Sequence, residues 1–129
     1  MTGNIFSPET RPNKTIRRGD IWYIGSLDDD NGSLQDSDRP AIIVSNNACN
    51  TYSSVVEVVY LTTRHKKRLP THVIINSARV RSTALCEQID SVTIDKLLNR
   101  YGQCTAAEMH QIDAALAVSV GLMSPPKKY

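Results

Sequence analysis

Arg39 stands between Asp38 and Pro40, immediately ahead of the apolar run at residues 41–44. An arginine at the mouth of a strand can hold one fixed anion, because its planar, permanently charged fork pairs bidentately with phosphate. Thr62 and Thr63 close a later apolar run, and a hydroxyl at a nearby strand end would give the same anion a second donor. From Arg64 to Arg81 there are 18 residues with six Lys or Arg and no acid, and His65 and His72 lie among them. In an arbitrary chain such a stretch is most often a solvated hairpin tip. Here it joins the Thr pair to Leu69-Pro70-Thr71-His72-Val73, which favours a phosphate-facing surface.

Glu87, within Leu85-Cys86-Glu87-Gln88-Ile89, has two readings. It is a base, which at an ordinary carboxylate pKa would be weak unless burial raised it, or it is an ion-pair partner that orients Arg39 or Arg81. Arg39 has a local alternative as well, pairing with Asp36 or Asp38 of its own loop. The Cys and His residues lack the close paired spacings of a zinc site, and Asp28-Asp29-Asp30 reads as a solvated acidic loop. No phosphate-binding P-loop and no Gly-x-Ser-x-Gly elbow is present. The expectation is a site with neither metal nor cofactor.

These side chains need a scaffold of short strands. Ile21, Trp22 and Tyr23 suit a first strand at 20–24, followed by a polar loop at 26–37 that is long for a tight turn. Strands are expected at 41–46 and 54–61, joined by Asn-rich turn chemistry at 46–50. Further strands are expected at 71–75, 84–89 and 91–94, then a single helical turn over 96–99 capped by Asp95. Thr105 with Glu108 forms a capping box for a helix carrying Met109, Ile112, Leu116 and Val120, closed by Gly121. Short strands followed by one helix favour a small curved antiparallel sheet or barrel packed by that helix.

The chain has 129 residues, 40% of them apolar and 22% charged, enough for one core and not for two. Its net charge of +2 says little about partners; the local basic cluster says more. Three widely spaced cysteines and no apolar leader argue for free buried thiols and a cytoplasmic protein. No apolar stretch is long enough for a membrane helix.

The order Gly32-Ser33-Leu34-Gln35, Arg39-Pro40, strand, Thr62, basic loop, Leu69-Pro70-Thr71-His72-Val73 and Leu85-Cys86-Glu87-Gln88-Ile89 resembles the MazF/PemK family. These are the toxin halves of bacterial toxin–antitoxin pairs, and the resemblance runs from Arg18 to Leu122. It implies an SH3-like small antiparallel barrel over residues 17–123, with a C-terminal helix, a flexible N-terminal tail at 1–16 and a C-terminal tail at 124–129. The implied activity is a metal-independent, sequence-preferring endoribonuclease that cuts single-stranded messenger RNA, leaving a 2′,3′-cyclic phosphate and a 5′-hydroxyl. The implied partners are a second copy of the chain and a cognate antitoxin with an acidic, disordered segment.

By the same resemblance Arg39 and Thr62 are catalytic, with Thr63 as the substitute for Thr62, and Glu87 is a catalytic carboxylate, in some members the base for the 2′-hydroxyl. Ser33, Gln35, Thr63, Arg64, His65, Lys66, Lys67 and Arg68 would contact RNA. His72 would be structural, and Trp22, Tyr52 and Tyr60 are possible base-stacking platforms. Leu34 stands where many members carry Glu, so base preference is expected to differ. Two competing readings are a gyrase-directed toxin of the CcdB type and a nucleic-acid-binding barrel that does not cut.

Overall fold

The computed structural model describes residues 14–25 and 39–127. Ser33, Gln35, Asp36, Asp38 and the aspartates at 28–30 lie outside the described residues, as do residues 1–13 of the N-terminal tail. The described elements are β1 (Asp20–Ile24), β2 (Arg39–Ile43), α1 (Asn47–Tyr52), β3 (Val55–Thr62), β4 (His72–Ile75) and β5 (Ser82–Thr93). A 3-10 turn (Ile94–Lys96), β6 (Leu97–Gln103) and α2 (Ala106–Ser119) complete them.

The six strands form one sheet in the order β4-β5-β3-β2-β1-β6, and every pairing is antiparallel. Strand residues alternate between two cores, as the two-residue pleat requires. Ile21, Ile42, Val59, Ile75 and Cys86 pack with Ile112 and Ala115 of α2 on one face. Trp22, Ile24, Ile43, Val58 and Leu97 pack with Ile16 and Ile94 on the other. The helix α2 covers the first face, and Ile16 with the 3-10 turn residue Ile94 packs on the second. The result is the expected mainly β, barrel-like fold, left open at β4 and β6. Ile16 is buried, and the Lys14 ammonium donates to the Ile94 carbonyl at 2.9 Å, so residues 14–16 are docked on the sheet.

Three expectations change. The Asn-rich segment forms α1 rather than a plain turn, because the Asn46 side chain accepts from the Cys49 amide at 2.9 Å and caps the helix. The two short strands at 84–89 and 91–94 are one strand, β5, running without a break past Asp90. The helical turn expected over 96–99 with Asp95 as its cap does not form: Asp95 lies inside a 3-10 turn at Ile94–Lys96 whose N-cap is Thr93, and from Leu97 the chain extends as β6 to pair with β1. Leu97 is buried and anchors that strand, which its polar Asn99 and Arg100 disguise.

The terminal helix matches its capping box. The Thr105 hydroxyl accepts from the Glu108 amide at 3.1 Å, and the Glu108 carboxylate accepts from the Thr105 amide at 2.9 Å. The second Glu108 oxygen accepts from the Asn76 amide at 2.7 Å, which ties α2 to the end of β4. Gly121, with φ of 83°, takes the left-handed conformation that ends the helix, and the Leu122 amide donates back to the Ala117 carbonyl at 2.7 Å.

Candidate functional site

The β2–β3 register sets Ala41 against Tyr60. Continued by two residues, it sets Arg39 opposite Thr62 on the same face of the sheet, beyond the last paired residues. Thr62 in turn pairs with Thr83 of β5, and Thr83 with Ile74 of β4, so that face continues outward across three strands. Arg39 is exposed at the start of β2, and Thr62 is half-buried at the end of β3. The Thr62 hydroxyl oxygen accepts from the Arg64 amide at 3.2 Å, which leaves its own proton available to donate.

A bulge shapes the centre of this face. Between the pairs Val59–Ile89 and Leu61–Ala84 only Tyr60 intervenes on β3, whereas residues 85–88 intervene on β5. Three extra residues bend β5 at this point, a device common beside active sites. Glu87 lies within the bulge and Asp90 just past it. The Tyr60 hydroxyl donates to Asp90 at 2.6 Å, and the guanidinium carbon of Arg39 lies 4.3 Å from the Tyr60 ring centre. Burial first, then the hydrogen bond and charge of Asp90, push the Tyr60 phenol up to about 12, with Arg39 opposing.

Glu87 pairs with neither Arg39 nor Arg81 among the described residues. Its Oε1 accepts from the Thr71 hydroxyl at 2.9 Å, and its Oε2 lies 3.0 Å from His72 Nε2. The opposite ring nitrogen, Nδ1, faces the Lys67 carbonyl at 2.9 Å. Burial pushes the Glu87 carboxyl up, but hydrogen bonds from its own backbone, His72 and Thr71 outweigh it and hold it below its ordinary value. Glu87 is thus kept ionised and engaged, a poor arrangement for a base.

The basic loop connects β3 to β4, and all of Thr63, Arg64, His65, Lys66, Lys67 and Arg68 are exposed. Thr62, Thr63, Arg64, His65 and Lys66 line a cleft of about 340 Å³ whose far wall is Arg81 and Thr83. A second cleft of about 360 Å³ lies between Lys66, Arg68, His72 and Gln111 of α2. Among the described residues no three His, Cys, Asp or Glu converge as metal ligands would. Cys86 and Cys104 are buried, and burial pushes both thiols up to about 12; Cys49 is partly exposed, and all three are free.

Arg39 and Thr62 therefore share one open face with the basic loop, while Glu87 belongs to a separate hydrogen-bonded group with Thr71 and His72. Of the three aromatics considered as platforms, Trp22 is core, Tyr52 is exposed on α1, and Tyr60 carries the Arg39 guanidinium. Thr71, Thr83, Arg81 and Asp90 also belong to this surface. The sequence signalled Arg81, as the end of the basic stretch, and Thr71, within Leu69-Pro70-Thr71-His72-Val73, but gave nothing for Thr83 or Asp90.

Residues 17–120 match the family described as PemK-like, MazF-like toxin of type II toxin–antitoxin system. The endoribonuclease MazF9 of Mycobacterium tuberculosis (strain ATCC 25618 / H37Rv) is 35% identical over 118 residues, spanning 84% of this chain and 99% of its own. A solved mycobacterial endoribonuclease in complex with its cognate antitoxin superposes with a TM-score of 0.71 at 30% identity, covering 85% of this chain and 99% of that one. MazF from Deinococcus radiodurans has the same fold, with a TM-score of 0.69 at 18% identity over 84% of this chain and 99% of its own. The match spans most of the sequence and takes in Arg39, Thr62, the basic loop and Glu87: the chain belongs to the PemK-like, MazF-like toxins of type II toxin–antitoxin systems.

Proposed function

We propose that this protein is the endoribonuclease toxin of its pair, cutting single-stranded messenger RNA without a metal and so arresting translation. The observation that carries the reading is that Arg39 at the start of β2 and Thr62 at the end of β3 each lie two residues beyond the Ala41–Tyr60 pair, and so on one face, beside the exposed basic loop. RNA supplies its own nucleophile. A bond forms from the 2′-oxygen to phosphorus, the bond from phosphorus to the 5′-oxygen breaks, and one proton leaves the nucleophile as another reaches the leaving oxygen. The products are a 2′,3′-cyclic phosphate and a 5′-hydroxyl.

Arg39 stabilises the charge that builds on the phosphorane, a task suited to a group that stays charged throughout. Thr62 donates a hydrogen bond from its hydroxyl to a non-bridging oxygen, keeping its proton, and fixes the phosphate in line. Thr63, Arg64, His65, Lys66, Lys67 and Arg68 bind the flanking backbone, with Ser33 and Gln35 contributing from the β1–β2 loop. Glu87 acts through His72, orienting the basic loop rather than taking the proton. The toxin domain is residues 17–123, between tails at 1–16 and 124–129. It works as a cytoplasmic homodimer and is held inactive by an antitoxin whose acidic, disordered segment covers the basic loop. Support for the antitoxin comes from the mycobacterial relative solved with its own. Among the described residues no helix is long and apolar enough to cross a membrane.

The test is incubation of the purified protein with long, mixed-sequence RNA in EDTA, with cut ends mapped and Arg39→Ala run alongside. Discrete cuts bearing 5′-hydroxyl ends, absent in the variant, are expected. Intact RNA would overturn the reading in favour of a binding barrel or a toxin with a protein target.

A further inference from the structure

Arg39 opens β2 with an exposed side chain, and a long free guanidinium would spend its time in many rotamers. Ordering it at the moment of RNA binding would cost conformational entropy. Two neighbours reduce that cost. The Tyr60 ring lies under the guanidinium at 4.3 Å, and the Tyr60 hydroxyl is fastened to Asp90 at 2.6 Å. The five donors of a guanidinium lie in its plane, so a guanidinium resting flat on the ring keeps its edge for a phosphate.

We propose that Tyr60 and Asp90 are positioning residues for Arg39, forming a platform that holds its fork ready for the scissile phosphate. The proposal rests on the reading of Arg39 as the charge-stabilising group. Tyr60 is suited to the task by its place between β2 and the bulge. It pairs with Ala41, two residues from Arg39, and it is the only β3 residue opposite the four bulged residues of β5. Its ring packs partly against the core cluster that contains Ile43 and Val58, which fixes the platform from below. Asp90 pairs with Val58, which puts its side chain on the face of Tyr60, one diagonal step away and within reach of the hydroxyl. A phenol donating to a carboxylate has a more electron-rich ring, which strengthens its attraction for the cation above. With one face covered by Arg39 and the ring partly in the core, Tyr60 is poorly placed to stack an RNA base.

The experiment measures kcat and KM for RNA cleavage, together with thermal unfolding, in Tyr60→Phe, Tyr60→Leu, Asp90→Asn, Arg39→Ala and the double variant Tyr60→Leu/Arg39→Ala. Tyr60→Leu should lower kcat about 5- to 30-fold with little change in KM, as expected for losing a partly desolvated cation–π contact. Tyr60→Phe and Asp90→Asn keep the packing and should lower kcat about 2- to 5-fold. Adding Tyr60→Leu to Arg39→Ala should slow cleavage no further, since the platform acts only through the arginine. Wild-type rates in both Tyr60→Phe and Asp90→Asn, beside a dead Arg39→Ala, would overturn the platform and leave the role of Arg39 standing. So would a Tyr60→Leu effect confined to KM, or one that multiplies the loss in Arg39→Ala. An Arg39→Ala protein that cuts like wild type would overturn the reading of Arg39, and the platform with it.

Discussion

His72 Nε2 lies 3.0 Å from the Glu87 carboxylate while Nδ1 faces the Lys67 carbonyl at 2.9 Å, so both ring nitrogens meet acceptors. A carboxylate and a carbonyl can only accept, so both contacts hold the imidazole ring in one orientation between β5 and the basic loop. His72 is therefore a strut from β5, through β4, to the basic loop. Its side chain is 8% exposed, against 37% for Glu87, so the contact is sheltered from water on the histidine side.

Cutting the strut should loosen the loop. Arg64, Lys66, Lys67 and Arg68 are all trypsin sites, and cleavage there reports local opening. Both His72→Ala and Glu87→Ala should be cut in the loop about 10-fold faster or more than wild type, the scale of one charge-assisted hydrogen bond. Equal digestion rates for both variants and wild type would show that the loop is held by something else.

A second consequence concerns acid. Glu108 is buried, and burial pushes its carboxyl up, but hydrogen bonds from Ser77, Thr105 and Asn76 hold it below its ordinary value of 4.5. A group whose folded pKa is depressed contributes stability that is complete above its unfolded value and lost as pH falls through the folded one. The unfolding temperature should thus be level at neutral pH and fall below about pH 4.5. Glu108→Gln should unfold at a lower temperature at pH 7 but with a flatter acid limb. An acid limb identical to wild type would show that Glu108 does not set the acid response.

Legibility in the sequence tracked the range of the interactions. The helix α2 was readable because Thr105, Glu108 and Gly121 act on neighbours three or four residues away. The strand β6 was not, because its partner β1 is far off in sequence and its exposed positions are polar. Asn46 was read as a turn residue because caps and turns use the same side-chain hydrogen bond, and only the conformation of residues 47–52 separates them. Arg39 and Thr62 were found through the order of motifs, and the β2–β3 register then set them opposite each other. The relation of Arg39 to Tyr60 and Asp90, like that of Glu87 to His72, depends on the register between strands far apart in sequence, which no local pattern announces.

The basic loop makes a salt-dependent prediction. Each phosphate contact on single-stranded RNA contributes about −0.7 to the slope of log affinity against log salt. Replacing Lys66, Lys67 and Arg68 together by Ala should reduce that slope by about 2, measured with a non-cleavable RNA carrying a 2′-deoxy group at the cut. An unchanged slope would place the RNA elsewhere.

The central claim is that Arg39 and Thr62 act on one phosphate. Single-turnover cleavage of a mapped oligonucleotide by Arg39→Ala, Thr62→Val and the double variant tests it most directly, with Thr63→Val as the control. Arg39→Ala should lose about 100- to 1000-fold, Thr62→Val a smaller but clear amount, and the double variant much less than the product of the two. Thr63→Val, which loses only a contact to the flanking backbone, should bind RNA more weakly yet cut near the wild-type rate once the RNA is saturated. A Thr62→Val protein with the wild-type rate, or losses that multiply in full, would contradict the shared phosphate.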